Sequence, residues 1–343
     1  MWTGGLDWGD YDADGDLDFA VGGLITGGTA TTKIYRNDAG TFTSLSVPLA
    51  GCMHGCVKWG DIDQDNDLDL VVAGSTGTEM YRNTGNGSFE QLSTTFPVIY
   101  YGNADFADYD LDGDADLLLS ASANGLVIFR NDGGNFSQQT PALTTLVNGK
   151  AWWGDSDNDG DQDILFFADS SNTGINRVYL NNNGSFQKVS NTGLPMAYPR
   201  AFGNWADMNN DGYLDMIFST LSGTSPILRV FLNNRNNTFT QLNTMNGVGY
   251  ETGYLTAADF NADGYMDYMI SGDNGSGRYF ELMRGTSQQS FNSAASLTGL
   301  DNSWMAWGDY DVDGQMDGAY VGNTSTDEVF ALGIFKQTNG VVN

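Results

Sequence analysis

The sequence predicts an all-β protein, on three observations. One aspartate-rich stretch of nine residues recurs seven times, the segments between copies are short apolar runs of strand length, and 45 glycines against six prolines suit many tight turns. The copies start at Asp10, Asp61, Asp108, Asp155, Asp207, Asp259 and Asp309, at steps of 47 to 52 residues. A fixed period of that size marks a repeat architecture in which each unit buries its faces against its neighbours. Within a unit, a first segment ends aromatic-small-Asp, as in Trp8-Gly9-Asp10, Trp59-Gly60-Asp61, Phe106-Ala107-Asp108, Trp153-Gly154-Asp155, Trp205-Ala206-Asp207 and Trp307-Gly308-Asp309. The aspartate loop follows, and then an apolar run such as Leu68 to Ala73 or Ile164 to Ala168. A third segment closes on an aromatic and an asparagine (Tyr35-Arg36-Asn37, Tyr81-Arg82-Asn83, Phe129-Arg130-Asn131, Tyr179-Leu180-Asn181). A fourth starts at Phe42, Phe89, Phe136, Phe186 or Phe239 after Asn/Gly hairpin turns. Four antiparallel strands per unit, seven times over, predict one domain over residues 1–343, a seven-bladed β-propeller of four-stranded blades.

The loops read DYDADGDLD, DIDQDNDLD, DYDLDGDAD, DSDNDGDQD, DMNNDGYLD, DFNADGYMD and DYDVDGQMD. Side-chain oxygens at positions 1, 3, 5 and 9, with the backbone carbonyl of position 7, are spaced to wrap one hard cation. Ca²⁺ suits such a set better than Mg²⁺, which holds to a tight octahedron and keeps its waters. Glycine at position 6 permits the sharp turn, and Asn66 stands there in the second loop. The expected ligand positions are Asp10, Asp12, Asp14, Asp16 and Asp18 in loop 10–18, and Asp61, Asp63, Asp65, Asp67 and Asp69 in loop 61–69. They continue as Asp108, Asp110, Asp112, Asp114 and Asp116 in loop 108–116, and Asp155, Asp157, Asp159, Asp161 and Asp163 in loop 155–163. Loop 207–215 offers Asp207, Asn209, Asp211, Tyr213 and Asp215, and loop 259–267 offers Asp259, Asn261, Asp263, Tyr265 and Asp267. Loop 309–317 offers Asp309, Asp311, Asp313, Gln315 and Asp317. Up to seven Ca²⁺ are expected, held more weakly in loops five and six, where Asn and Tyr lower the charge. A single acidic turn could bind nothing, but seven copies at one period point to metal.

Charge agrees with this. The loops hold 30 of the 43 acidic residues, so the formal charge of −29 sits where metal would neutralise it. Seven Ca²⁺ would bring it to about −15. That remaining excess argues against nucleic acid and anionic membrane as partners, since both repel a polyanion. No apolar run is long enough for a transmembrane helix. Weak multi-site calcium binding favours an extracellular or cell-surface location, where the ion is plentiful.

The W-G-D-x-D-x-D-G-D-x-D-x-x-x-x-G and Y-R-N-x-x-G-x-F elements resemble the FG-GAP/VCBS repeats of integrin α-subunit propellers and of many exported bacterial proteins. The resemblance covers nearly the whole chain. It implies that each metal loop joins the first and second strands of its blade, on the ring face away from the usual ligand surface. Ala257 departs from the pattern, standing where other repeats have an aromatic.

Recognition is then expected on the opposite face, built from the crossovers that enter each blade. These are rich in aromatic and charged residues, and the candidates are Tyr100, Tyr101, Lys150, Tyr198, Arg200, Tyr250, Glu251, Tyr254 and Trp304. Flat rings beside hydrogen-bonding groups suit glycan stacking or peptide capture; the alternative for each ring is a wedge between blades. The repeated Trp8, Trp59, Trp153, Trp205 and Trp307 are expected to pack the ring. Cys52 and Cys56, four apart with His54 between them, predict a local disulfide; free buried thiols and a zinc or copper site are the alternatives.

Aligning Ile334-Phe335-Lys336-Gln337 with Ile34-Tyr35-Arg36-Asn37 leaves only Val341-Val342-Asn343 for a last strand, so blade seven is expected to lack its outer strand and to offer an open edge. Together these readings predict an extracellular, calcium-stabilised binding module, lectin-like or adhesive, for a glycan or an extracellular protein. A structural subunit assembling through the open edge is one alternative. A polysaccharide lyase using His54, Tyr100, Tyr101, Lys150, Tyr198 and Arg200 is the other. It is disfavoured because no paired carboxylates stand outside the loops and no hydrolase signature is present.

Overall fold

A computed structural model describes residues 4–25, 28–121, 125–141, 143, 147–170, 173–195, 201–222, 225–246, 251–324, 330–338 and 341–342. All regular structure among them is β, and none contains a helix able to cross a membrane. The first repeat forms β1 (Gly5–Gly9), β2 (Asp18–Ile25), β3 (Thr29–Asp38) and β4 (Thr41–Ser44). The second forms β5 (Cys56–Gly60), β6 (Asp69–Gly74), β7 (Gly77–Asn83) and β8 (Phe89–Gln91). The third forms β9 (Ala104–Ala107), β10 (Asp116–Ala121), β11 (Gly125–Asp132) and β12 (Asn135–Gln138). The fourth forms β13 (Val147–Gly154), β14 (Asp163–Ser170), β15 (Thr173–Leu180) and β16 (Gln187–Lys188). The fifth forms β17 (Phe202–Ala206), β18 (Asp215–Ser222), β19 (Ser225–Asn233) and β20 (Phe239–Asn246). Each set is a four-stranded antiparallel meander, and these are the expected propeller blades.

The last two repeats differ from the expectation. β21 (Glu251–Ala258), β22 (Asp267–Asp273) and β23 (Arg278–Gly285) lead into one 18-residue strand, β24 (Phe291–Gly308), followed by β25 (Asp317–Asn323) and β26 (Phe330–Phe335). The first half of β24 pairs with β23, as in Gly285↔Phe291, and the second half pairs with β25, as in Gly308↔Asp317. Seven loop repeats therefore make six sheets, the last holding six strands, with the outer strand of repeat six running unbroken into the inner strand of repeat seven. The crossovers at residues 45–55 and 92–103, by contrast, contain no strand.

β26 has no fourth strand on its outer side among the described residues. The chain turns instead into a small hairpin, β27 (Gln337–Thr338) with β28 (Val341–Val342), whose Val342 packs on the cluster around Phe280 and Phe335.

Packing between repeats follows one pattern. Where a tryptophan stands two residues before a loop and the preceding repeat has an aromatic at loop position 2, the two stack: Trp59 on Tyr11 (6.0 Å), Trp153 on Tyr109 (5.7 Å) and Trp307 on Phe260 (5.6 Å). Trp8 stacks on Tyr310 at 6.1 Å and 6°, which closes the ring between the first and last repeats. The expected packing role of the tryptophans is thus met at these four positions.

Candidate functional site

Each aspartate loop joins the first and second strands of its repeat, so all seven lie on one ring face, as expected. The loop folds itself through its own carboxylates. Position 1 accepts two backbone N–H groups: Asp10 takes those of Asp14 (3.1 Å) and Gly15 (3.0 Å), and Asp108 those of Asp112 and Gly113. Position 9 is wholly buried and clamps two elements. Asp18 accepts the N–H of Tyr11 (3.1 Å) and that of Asn37 on β3 (2.7 Å), and Asp69, Asp116, Asp163, Asp215 and Asp267 repeat the arrangement. Burial pushes each of these six up to about 7, and Asp317 to about 6.

Asparagine at the end of the third strand then ties neighbouring repeats. Asn83 donates to the Tyr11 carbonyl (2.8 Å), Asn131 to Ile62 (2.7 Å), Asn181 to Tyr109 (2.6 Å) and Asn233 to Ser156 (2.7 Å). Asn37 reaches Tyr310 (2.7 Å) across the ring closure, and Gln337 reaches Phe260 (2.6 Å). The sequence showed this asparagine as a turn residue; its reach of some 70 residues is a tertiary fact.

The FG-GAP-like repeat pattern matches residues 10–72, 61–119, 108–166, 155–218 and 207–270. The chain belongs to the FG-GAP-like repeat family. No curated protein matches the chain. Among solved structures, an Agrocybe aegerita lectin described as recognising non-reducing terminal N-acetylglucosamine is similar, at 18% identity and TM-score 0.61, over 97% of this chain and 85% of that one. BBS1N, solved in complex with ARL6DN, is similar at 11% identity and TM-score 0.59, over 98% and 94% of the two chains. At such identities the likeness is one of fold.

The FG-GAP loops offer donors that fit a hard cation. Carboxylate oxygens from positions 1, 3 and 9 converge within 4.8 Å in five loops: Asp10, Asp12 and Asp18; Asp61, Asp63 and Asp69; Asp108, Asp110 and Asp116; Asp155, Asp157 and Asp163; Asp309, Asp311 and Asp317. The position-3 oxygens Oδ1 of Asp12, Asp63, Asp110, Asp157 and Asp311 are buried with no hydrogen-bond partner, as is Asn209 Oδ1 in loop five. A buried unpaired carboxylate oxygen is costly, and a cation is the partner it lacks. Position 5 stands outside these triads: Asp14, Asp65 and Asp112 instead accept the N–H of position 7. Position-7 carboxylates bind the turn after the third strand, as Asp16 does with Ala39 N–H (2.7 Å), which leaves their carbonyls as the expected donors.

Loops five and six differ in their side-chain contacts. Asn261 Oδ1 accepts the N–H of Asp263, and Tyr213 lies under Arg235 at 4.8 Å while Arg235 pairs with Asp211 at 3.0 Å. Other loops carry a cation from the third strand. Arg130 reaches Asp110 (3.1 Å) and Asp112 (2.8 Å), and Lys336 contacts Asp311 and Asp313.

The recognition candidates divide into two groups. Tyr100 and Tyr101 pack with His54, with ring centroids 4.4 to 4.9 Å apart, on the face opposite the loops. Tyr100 is 39% exposed. Lys150, Tyr254 and Trp304 come together from three different repeats: Tyr254 and Trp304 stack at 4.4 Å, and the Lys150 ammonium lies 5.2 and 4.8 Å over their rings. Those two rings also line an axial cavity of about 360 Å³, with Asp7, Lys58, Asp105, Trp152, Asn204 and Thr256. Lys58 pairs with Asp7 at 3.2 Å, and Asp105 accepts the N–H of Trp153 at 3.0 Å. Sequence reading missed Asp7, Lys58 and Asp105. Their signal was present: all three stand three residues before a loop, where an inner strand should be apolar. Tyr198, Arg200 and Tyr250 lie outside the described residues, as does the side chain of Glu251.

The expected disulfide is not formed. Cys52 and Cys56 are buried free thiols whose side chains enter different apolar clusters. Cys56 Sγ accepts the Ala104 N–H at 3.1 Å, Cys52 Sγ faces the carbonyls of Cys56 and Ala73 at 3.5 Å, and burial pushes Cys56 up to about 12. His54 turns away to Ser75 and the two tyrosines, so no Cys-His metal cluster is assembled.

Proposed function

We propose that this FG-GAP-like propeller is a calcium-stabilised, extracellular, non-enzymatic binding module that recognises a glycan through the face opposite the loops. The observation that carries the reading is the meeting of Lys150, Tyr254 and Trp304, from three repeats, whose two rings also line the axial cavity together with Asp7, Lys58, Asp105, Asn204 and Thr256. Stacked rings beside ammonium, amide and carboxylate groups are the chemistry that holds sugars, apolar on the ring face and hydroxylated at the edge. Calcium serves the scaffold, by pairing the carboxylates that hold each loop between its strands. The test is a glycan array with and without chelator. Binding that is lost on calcium removal supports the proposal, and a blank array with calcium present overturns it. A second reading, assembly of copies through the edge of β26, rests on the absence of an outer strand there among the described residues. Defined oligomers in solution that a proline at Ala331 abolishes would favour it.

A further inference from the structure

We propose that the basic side chain at the end of the third strand sets how tightly each aspartate loop holds its cation, and that loop 155–163, where leucine takes its place, is the tightest site of the ring. This rests on the calcium reading of the loops and adds an order of occupancy to it.

The first four loops differ in little else. Each carries five aspartates, so their own charge is the same. The residue just before the third-strand asparagine is Arg36, Arg82 and Arg130 in repeats one to three, but Leu180 in repeat four. Arg130 pairs with Asp110 (3.1 Å), Asp112 (2.8 Å) and Asp132 (3.0 Å). Arg82 stands 3.9 Å from Asp63, and the field of Arg36, itself paired with Asp38 at 2.8 Å, reaches Asp12. Among the described residues no basic side chain pairs with loop 155–163, and the charges that act most on Asp157 are those of Asp159, Asp155 and Asp161.

The unpaired oxygens sharpen the contrast. Loop 61–69 leaves Oδ1 of Asp61 and of Asp63 buried without a partner, and loop 155–163 does the same with Asp157 and Asp161. Asp161 is only 5% exposed. Of these two loops, only the first has an arginine to offset the buried charge. The later loops carry cations of their own: Arg235 pairs with Asp211 at 3.0 Å, Arg284 lies 5.6 Å over Phe260 of loop six, and Lys336 contacts Asp311 and Asp313.

At equal distance, a fixed unit charge opposes a divalent ion twice as strongly as it attracts one carboxylate. It also cancels part of the charge that draws the ion in. Solvent screens these half-exposed side chains, so the expected effect is about five- to tenfold in affinity per loop. An arginine beside a loop also steadies its carboxylates when the ion is scarce. Loop 155–163 has no such substitute and depends on the ion most.

Stepwise withdrawal of calcium from the loaded full chain with a graded series of chelator buffers, counted by native mass spectrometry, tests the proposal. One ion is expected to persist to a free calcium about five- to tenfold below that at which the others leave. Asp157→Asn should abolish that last ion, Leu180→Arg should make it leave with the rest, and Leu180→Met should keep it. Arg130→Leu should create a second late-leaving ion. A last ion that survives Asp157→Asn, an order of loss unchanged by Leu180→Arg, a last ion lost in Leu180→Met, or no second retained ion in Arg130→Leu each overturn the assignment. Ions that all leave together would remove this inference and leave the calcium-stabilised module standing. A chain to which no calcium binds removes both.

Discussion

A Cβ on Gly154 would stand 2.6 Å from the Trp205 ring of the next repeat; on Gly9 it would stand 2.8 Å from Trp59, and on Gly308 3.0 Å from Trp8. The glycine of the aromatic-Gly-Asp signature is therefore required by its neighbour's tryptophan rather than by a turn. Gly154→Ala should cost about 1–3 kcal/mol by overpacking, seen as a lower urea midpoint. Gly23→Ala, whose Cβ would meet only Gly4 at 3.7 Å, should cost far less. Asn131→Ala removes side-chain hydrogen bonds to the Ile62 and Ala115 carbonyls and leaves buried acceptors bare. A loss of about 2–3 kcal/mol is expected, whereas a midpoint within error of the parent would show that this tie carries no stability. The spacing of these residues was legible in the sequence, but their purpose was not. Each acts on the adjacent repeat, and a linear pattern shows period without showing contact.

Among elements, the aspartate loop was read best and β24 worst. Nine residues that supply both the turn and the oxygens carry their geometry locally, so loop position followed from sequence alone. β24 hides because nothing in its own residues marks the step from Leu300 to Asp301, where pairing passes from β23 to β25, and only those partner strands define it. The axial group was half legible: Lys150, Tyr254 and Trp304 stood out as crossover residues, while Asp7, Lys58 and Asp105 were concealed in strands assumed apolar.

The loops also set a dependence on pH that runs against habit. Position-9 aspartates near 7 in the folded protein, against about 4 unfolded, bind more protons when folded. Without metal their contribution is present in full below about pH 4 and fades as pH rises through 7. In chelator the melting temperature should therefore increase on going from pH 8 to pH 5.5. With calcium bound the order should reverse, because the ion competes with those protons. Parallel thermal scans at both values check both halves.

At the scale of the whole molecule, 30 of the 43 acidic residues are gathered in loops on one face, and removing their counterions should loosen every repeat at once. Chelation is expected to lower the melting temperature by ten degrees or more at pH 7.5, in a single transition, since loops that share a ring lose their support together. An unchanged melting curve would sink the metal assignment.

One join in the ring lacks what the others have. Where five repeats carry an asparagine at the end of their third strand and the seventh carries Gln337 just beyond its own, the sixth has Gly285, with no side chain to reach back to the loop of repeat five. Immediately beyond it, repeats six and seven are welded by β24. Seam and weld thus lie side by side, and a closed band so made is open to rupture at one address. Pulled from both ends or nicked by a protease, the circle should part between Asn233 and Asp267, and the two welded repeats should leave as one piece.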